Sequence, residues 1–272
     1  MRPIKALVVD SLHVGDMGSL CTPTVSMGGG GAYYANAIQL ALYDFWREMC
    51  KTKYDYAFML GEGTDGTNRH SEGLGLWTTD TKLQADVAAD LLHMIKCQDM
   101  FMVYGSAYHI QDNPNTEQYI AQSLGLPKSR HGWEKIVEVP IRDRVVPIHL
   151  AHAVPVSMGP WSYRATAVGK ELLMAELNKA ELGPVEGILR GHAHYYVEVG
   201  FGKQWGVVCP CWKIRDIFSV TRLGLAAVPR IGYVTLEFRD EWRAPHIEPH
   251  ILNLKAKGLD MVERVRAKKV RG

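Results

Sequence analysis

Two histidines separated by one residue stand directly after an apolar run of the chain. The run covers residues 185–189, and it is followed by Arg190, Gly191, His192, Ala193 and His194. In an extended backbone the side chains at i and i+2 point to the same face, so the two imidazoles would lie side by side. The glycine permits a sharp turn or the close approach of another group. The pair is half of a metal site if other strand ends supply further ligands, and an ordinary surface loop if they do not.

Other apolar runs also lead into residues that bind metals. The runs at 4–9, 54–60, 100–104 and 145–150 are typical of buried strands, and they lead into Asp10 and His13, Glu62 and Asp65, His109, and His149 and His152. Open α/β sheets place their chemistry at such strand ends. One histidine alone is more often a satisfied core or surface residue, but so many polar strand ends in one chain indicate a shared site.

A site of this composition suits transition-metal ions. Imidazole mixed with carboxylate is a ligand set for manganese, iron, zinc or nickel rather than for calcium or magnesium alone. A carboxylate between two groups of ligands can bridge two ions about 3.5–4 Å apart, and such a pair polarises a phosphoryl oxygen and activates water near neutral pH. A nearby histidine that binds no metal can donate a proton to the leaving group.

The segments between these runs predict an α/β chain. Apolar residues at helical spacing predict helices over 34–51, 79–96 and 162–181, and Asn115 or Thr116 begins another that ends near Leu124. The stretch 21–31, with proline and four consecutive glycines, is predicted to be a loop. Short apolar runs after the histidine pair predict antiparallel strands that close the domain, at 195–199, 205–209, 231–238 and 246–252.

Composition places the chain among ordinary globular proteins. Of its 272 residues, 47% are hydrophobic and 22% are charged, and the formal net charge of +2 gives no general reason to expect nucleic-acid or membrane binding. No stretch has the pattern of a signal peptide or the length of a membrane span, and the five scattered cysteines are predicted to be reduced. We therefore expect a cytoplasmic protein with one domain over 1–253. A basic tail follows over 254–272, where Arg264, Arg266, Lys268, Lys269 and Arg271 crowd together.

Over roughly residues 5–215, the order of the motifs resembles that of calcineurin-like metallophosphoesterases, most of all the phage- and prophage-encoded members. The shared pieces are Asp10 with His13, Gly61-Glu62 with Asp65, Gly105-Ser106-Ala107-Tyr108-His109, Ala151-His152, and Gly191-His192-Ala193-His194. The resemblance implies an αββα sandwich, in which two mixed β-sheets flanked by helices carry the metals at one rim. For a phage-encoded protein the compartment would be the host cytoplasm.

The resemblance also implies roles for individual residues. It assigns the first metal to His13, Glu62 and His194, and the second to Glu62, His152 and His192. His152 is preferred to His149 because the residues after it match the family register. His109 would donate a proton to the leaving group, and the residues near the substrate would be Asp65, Arg69, His70, Ser106 and Tyr108. The implied cofactors are two divalent ions, with manganese first and iron, zinc or nickel as alternatives.

Three positions depart from the family pattern. The acid of the first motif, Asp10, lies one residue early, so in a regular strand it points to the opposite face. Either a distorted loop brings Asp10 to the metal, or Ser11 stands there as a weak ligand. Glu62 replaces the usual aspartate, and Ser106 replaces the usual asparagine.

These observations predict a hydrolase, a phosphodiesterase, nuclease or phosphatase, that uses metal-activated water on a phosphate ester. A nucleotide or nucleic acid is the favoured substrate because Arg69, His70, Tyr108 and the basic tail suit phosphates and bases. The alternative is a metal-poor, inactive relative that binds a phosphorylated ligand or a protein partner, which the altered first and second motifs favour. A serine hydrolase is disfavoured because the chain has no Gly-x-Ser-x-Gly motif. Nothing in the sequence indicates an oligomeric state.

Overall fold

A computed structural model of the chain describes residues 2–110, 115–154, 161–216 and 228–255. Its strands are β1 (Ile4–Val9), β2 (Thr24–Ser26), β3 (Ala32–Tyr34), β4 (Lys53–Met59), β5 (Lys96–Val103), β6 (His131–Gly132), β7 (Glu134–Ile141), β8 (Arg144–Ala151), β9 (Gly187–Arg190), β10 (Val197–Phe201), β11 (Gln204–Val208), β12 (Gly232–Phe238) and β13 (His246–Ile251). Its α-helices are α1 (Ala37–Met49), α2 (Thr81–His93), α3 (Ala107–Ile110), α4 (Thr116–Ser123), α5 (Trp161–Leu177) and α6 (Lys179–Leu182), and short 3-10 helices cover Gly28–Gly30, Arg69–Ser71 and Lys128–Arg130. The predicted basic tail lies outside the described residues except for Leu254 and Lys255.

Two mixed sheets form the centre of the fold. The larger has six strands in the order β13-β12-β1-β4-β5-β6, in which β1, β4, β5 and β6 run parallel while β12 and β13 pair antiparallel. The smaller has five strands in the order β10-β11-β9-β8-β7, with β9 parallel to both β8 and β11. β2 and β3 form a separate antiparallel pair.

Each large sheet is covered by the other sheet on one face and by helices on the other. Along β1, Leu7 shares a core with Trp46 of α1, whereas its neighbour Val8 shares a core with Val207 in the opposing sheet. α5 packs against β10 and β11 on the outer face of the smaller sheet. The predicted αββα sandwich is confirmed. Because β1 is buried on both faces, it appears in the sequence as a continuous apolar run.

The elements differ from the predicted ones mainly at their ends. The helix predicted over 162–181 is two helices, because the chain leaves helical geometry at Asn178 and α6 ends at Gly183 with a φ of 78°. β2 lies within the predicted glycine loop and its partner β3 follows it directly, and the pair is closed where the Met27 N–H donates to the Gly31 carbonyl at 2.8 Å. α1 begins as expected of a capped helix, since the Asn36 side chain accepts from two backbone N–H groups. Among the described residues no helix is long and apolar enough to cross a bilayer.

Parallel pairing places the carboxyl ends of β1, β4 and β5 at one edge of the larger sheet. The loops after β1 and β4 continue side by side beyond the strands, because the Ser11 N–H donates to Gly61 O and the His13 N–H donates to Glu62 O, both at 2.9 Å. The ends of β8 and β9 lie together in the smaller sheet, and the Gly191 N–H donates to the His152 carbonyl at 2.9 Å. In each sheet, the predicted ligands therefore lie on neighbouring loops that are hydrogen-bonded to each other.

Candidate metal centre

Five residues at this rim have left-handed backbone conformations that residues other than glycine rarely adopt. They are Ser11 (φ 51°), His13 (φ 51°), Glu62 (φ 55°), His192 (φ 67°) and His194 (φ 55°). Such conformations cost free energy and persist where the surrounding structure enforces them, which happens often at functional sites. The hydrogen bonds between the two loops supply that constraint for the first three. The strained backbone therefore indicates that the rim is a functional site, in which the directions of these side chains matter.

Glu62 lies at the centre of the rim and is 1% exposed. Its Oε2 is 3.1 Å from His13 Nε2 and 3.8 Å from His194 Nε2. Its Oε1 is 3.0 Å from His152 Nε2 and 3.6 Å from His192 Nδ1. We call His13, His194 and Glu62 Oε2 the first ligand group, and His152, His192 and Glu62 Oε1 the second ligand group. One carboxylate thus faces two separate pairs of imidazoles.

Both ligand groups have the dimensions of a transition-metal site. Ligand atoms about 2.1 Å from an ion in a tetrahedral arrangement lie about 3.4 Å from one another. The N···O distances given above run from 3.0 to 3.8 Å, and the paired imidazole nitrogens are 3.0 Å apart in the first group and 3.2 Å apart in the second. Imidazole with a bridging carboxylate is a donor set for zinc, manganese, iron or nickel. The residues therefore fit two divalent ions that share Glu62.

The first ligand group is held from behind by a buried ionic network. His13 Nδ1 lies 2.9 Å from Asp65 Oδ1, and Lys213 Nζ lies 2.7 Å from the same oxygen. Lys213 is 2% exposed, and its ammonium also contacts Asp216 at 2.9 Å and Asp16 at 3.3 Å. Asp65 was predicted to lie near the substrate, but its carboxylate is fully buried behind His13. A carboxylate behind a metal-binding histidine fixes the orientation of the ring.

The second ligand group is held by backbone groups and by Asp10. His152 Nδ1 is 2.6 Å from the Leu60 carbonyl oxygen and donates its proton there, so Nε2 is the ring nitrogen that faces Glu62. Asp10 Oδ2 accepts from the His192 N–H at 3.2 Å and from the Ser11 hydroxyl at 2.8 Å. A Cβ at position 191 would lie 2.0 Å from Asp10 Oδ1, so only glycine fits there.

Asp10 was predicted to be a metal ligand, and the structure places it behind the imidazoles instead. Among the described residues it belongs to none of the side-chain groups that converge closely enough to hold an ion. β1 ends at Val9, so the alternation of a strand no longer decides the direction of Asp10. The Ser11 side chain lies between Asp10 and Glu62: its hydroxyl is 2.8 Å from Asp10 Oδ2 and 3.4 Å from Glu62 Oε2.

A third convergence, of His13, Asp65 and His109, is unsuitable for a cation. Asp65 Oδ1 already contacts the Lys213 ammonium, which would repel a divalent ion. His109 Nδ1 lies 2.8 Å from the Asp65 carbonyl oxygen and donates to it. Burial lowers the pKa of His109 to about 4 despite the nearby Glu62, so the neutral ring presents an unprotonated Nε2 4.0 Å from Glu62 Oε1.

The electrostatics of the rim favours positive charge between Glu62 and the imidazoles. Burial alone would raise the pKa of Glu62, but His152, His109 and His13 hold it well below its usual value. Burial and Lys213 disfavour a charged His13 ring, yet Glu62 and Asp65 raise its pKa to about 9. Burial likewise opposes a charged His152, and Glu62 with Asp10 still raises its pKa. A bound cation would supply the charge that these groups favour.

Of the remaining predicted site residues, some lie next to the candidate metal centre and others lie away from it. The Ser106 hydroxyl donates to Glu62 Oε1 at 2.7 Å, and the Tyr108 hydroxyl donates to Asn68 Oδ1 at 2.8 Å. Arg69 is exposed on the loop after Glu62, and the side chain of His70 lies outside the described part. His149 turns away from the rim, with Nε2 3.4 Å from Glu134. Of the two histidines after β8, the structure brings His152 to the centre.

Two supporting residues were not predicted from the sequence. One is Lys213, and the other is Glu117 in the first turn of α4, whose Oε1 accepts from the Gly63 N–H at 2.8 Å. Glu117 is fully buried, and burial raises its pKa to about 7. It fixes the residue next to Glu62, and the hydroxyls of Thr116 and Thr64, 3.1 Å apart, strengthen the same link. The only feature of the sequence that could have indicated Glu117 is its place just after the helix-capping Asn115, and no feature indicated Lys213.

No protein-family model matches the chain, and no curated protein matches its sequence. Solved structures similar to it include Vps29 of Chaetomium thermophilum, at 13% identity and a TM-score of 0.48, with 93% of this chain and 97% of that chain covered. Vps29 of Entamoeba histolytica complexed with Zn²⁺ is 13% identical with a TM-score of 0.46, covering 92% and 100%. An archaeal phosphodiesterase is 8% identical with a TM-score of 0.44, covering 92% and 100%. Likeness at this level decides neither an activity nor a partner, so the function has to be inferred from the site.

Proposed function

We propose that this chain is a metal-dependent phosphoesterase in which Glu62 would help to hold each of two divalent ions. The observation that carries the proposal is that the two oxygens of one buried carboxylate face two separate pairs of imidazoles. His13 and His194 would hold one ion, and His152 and His192 the other. Manganese is the first candidate, and zinc, iron or nickel are the alternatives. The order of the sequence motifs supports the same assignment.

Two ions at this place would supply Lewis-acid activation of a phosphoryl group and of water. The chain itself would orient them, because Ser106 fixes one oxygen of Glu62 by a hydrogen bond of 2.7 Å. His109 is the group placed for proton transfer, since its Nε2 lies 4.0 Å from Glu62 Oε1; this nitrogen is unprotonated at neutral pH, so it would first accept a proton from the attacking water before it could donate one to the leaving oxygen. Arg69 and His70, in the segment after β4, and Tyr108, next to His109 in α3, are the candidates for substrate contacts.

The direct test measures metal and turnover on the same preparation. Protein stripped with a chelator and dialysed against Mn²⁺ should retain two ions per chain, measured by plasma mass spectrometry, and should hydrolyse a bis-aryl phosphodiester. His192→Ala should lose turnover and the second ion while keeping its circular dichroism spectrum, because the side chain is 40% exposed and carries no core packing. Retention of no ions with any of the four metals would overturn the proposal.

A second function is favoured by the position of Ser11. It stands where the family has an acid, and the acid itself, Asp10, lies behind the imidazoles. The first ligand group therefore has one carboxylate oxygen and two nitrogens from the chain. A protein with this group could bind a phosphorylated ligand or a protein partner without turnover. Binding of inorganic phosphate without hydrolysis of any aryl phosphate ester, under saturating Mn²⁺, would select this function.

A further inference from the structure

We propose that the indole of Trp133 is the surface on which the base of a nucleotide substrate stacks. This inference rests on the proposed phosphoesterase function and adds the class of substrate. Trp133 lies where the chain crosses from β6 in the larger sheet to β7 in the smaller one. It is 60% exposed, whereas Trp46, Trp77, Trp205 and Trp212 are at most 8% exposed. A tryptophan left in solvent at the junction of two sheets contributes little to either core.

Trp133 and His152 follow the two ends of one strand pair. Glu134, the first residue of β7, pairs with Ala151, the last residue of β8, so the chain leaves this pairing at Trp133 on one side and at His152 on the other. Leu150, which pairs with Lys135, is fully buried between the sheets. The end of the β7–β8 pair that brings His152 to the rim therefore also brings Trp133 there.

The larger sheet brings Trp133 to the same place by a second path. The Tyr104 N–H donates to the Gly132 carbonyl at 2.8 Å, and the Tyr104 ring meets the Trp133 ring edge to face at 5.4 Å. Tyr104 is itself fixed by a hydrogen bond of 2.6 Å between its hydroxyl and His131 Nδ1. Ser106, two residues further on, donates to Glu62. Trp133 therefore packs on Tyr104, and the residue after Tyr104, Gly105, lies against Glu62, because a Cβ at that glycine would be 2.6 Å from Glu62 Cγ.

The charge beside Trp133 suits a nucleotide. Lys135 follows Trp133 by two residues, and its side chain runs back beneath Gly132, because a Cβ at that glycine would lie 3.2 Å from Lys135 Cε. An ammonium close to an exposed indole attracts an anionic ester that also carries a flat ring. Stacking of a base on an aromatic side chain strengthens binding about tenfold. A sugar phosphate without a base has no ring that would gain this contact.

The experiment compares two ligands that differ only in the base. Isothermal titration of the Mn²⁺-loaded protein with adenosine 5′-monophosphate and with ribose 5-phosphate should give a dissociation constant about tenfold lower for the nucleotide. Trp133→Ala should remove the difference without changing the affinity for ribose 5-phosphate, and Trp133→Phe should keep most of it. Phe201→Ala is the matched control, because Phe201 is 79% exposed at the turn between β10 and β11. That control should behave as the wild type.

The outcomes separate this inference from the proposed function. Equal affinities for the two ligands in the wild type, or a preference that survives in Trp133→Ala, would overturn the stacking role and leave the phosphoesterase proposal intact. Failure of the metal-loaded wild type to bind either ligand would overturn this inference, while the phosphoesterase proposal would still be decided by metal content and by turnover of the bis-aryl phosphodiester. A preference lost in Trp133→Ala and kept in Trp133→Phe would support the inference.

Discussion

The two ligand groups of the candidate metal centre are similar in their atoms and different in their support. Behind the first group stands a chain of charges, in which His13 contacts Asp65 and Asp65 contacts the buried Lys213. Behind the second group stand the Leu60 carbonyl at His152 and Asp10 at the His192 backbone. The first arrangement is a series of contacts between charged side chains at positions 13, 65 and 213. The second consists mainly of hydrogen bonds that involve backbone groups, at residues that follow β1, β4, β8 and β9.

This difference predicts how each group responds to mutation. Removing one member of a buried ionic network leaves the others unpaired, and that costs several kilocalories per mole. Replacing an acceptor that bonds a backbone N–H by a neutral group of the same shape costs much less. The first ligand group should therefore be coupled to the stability of the whole fold. The second should respond locally, through the affinity for its ion.

The largest effect is expected where the groups meet, at Glu62. Glu62→Gln replaces one carboxylate oxygen by an NH2 group, which cannot bind a cation, and it removes the negative charge shared by both groups. We expect turnover of a bis-aryl phosphodiester to fall by more than about a hundredfold, since even supporting residues of metal sites change activity 10- to 100-fold. Metal content should fall below one ion per chain. Glu241→Gln, at an exposed position, should match the wild type in both measurements.

The second-largest effect is expected at Lys213, whose replacement should affect the first ligand group and not the second. Lys213→Met leaves Asp16, Asp65 and Asp216 without their shared cation, so the free energy of unfolding should fall by about 3–5 kcal/mol. Urea unfolding with a chelator present measures this. Loss of one ion per chain, with the second retained, should accompany it. Lys82→Met, which removes an exposed contact to Asp86, should leave both quantities unchanged.

An unchanged metal content in Lys213→Met would contradict the role of the ionic network, even if the protein were less stable. The same variant therefore distinguishes a residue that positions His13 from one that only fills space. Lys213→Arg keeps the charge, and it should recover more of the bound metal than of the stability, because the guanidinium is larger than the cavity built around an ammonium.

The contrast between the groups also explains what could be predicted from the sequence. The histidines, Glu62 and the sandwich were accessible because local features determine them: apolar runs, glycines at strand ends and a two-residue spacing. The position of Asp10 was not, because strand alternation applies only within a strand and β1 ends one residue earlier. Ser11 has a φ of 51°, a local conformation that no pattern of residue types announced.

Lys213 could not be predicted for a different reason. It follows Cys209, Cys211 and Trp212 in a segment without the glycines and histidines that indicated the other site residues. Its partners Asp16 and Asp65 are remote in sequence, and they meet Lys213 only because the loops after β1 and β4 run together. A buried cation among carboxylates is a product of tertiary structure, so it leaves no signal in spacing.

The third prediction concerns Glu117, which supports the loop that both groups share. Its folded-state pKa of about 7 lies above the ordinary value of 4.5, so the folded protein holds a proton that the unfolded chain has lost. The free energy of unfolding should therefore fall as the pH rises from about 4.5 to about 7, by about 3 kcal/mol from this group. Glu117→Gln should remove that decrease. Urea unfolding of both proteins from pH 4.5 to pH 8, with a chelator, measures it, and parallel pH curves would exclude an ionisable role for Glu117.

A smaller effect is expected at Asp10, behind the second group. Asp10→Asn keeps an oxygen that accepts from the His192 N–H and loses the charge near His152. The affinity for the second ion should fall about tenfold, as for other residues that support metal-binding histidines. Titration with a competing metal chelator should show this weakening at one site while the other site stays as in the wild type. Equal weakening of both sites would mean that the groups are not supported independently.

The smallest effect should come from His149, the histidine within β8 that does not belong to the second group. His149 faces the largely exposed carboxylate of Glu134 and turns away from the rim. His149→Gln should leave metal content unchanged and turnover within about twofold, because His149 belongs to none of the ligand clusters among the described residues. His152→Gln, made three residues away with the same change of side chain, should lose the second ion. If the two variants behaved alike, position along β8 rather than contact with Glu62 would govern the second group, and the bridging role of Glu62 would have to be abandoned.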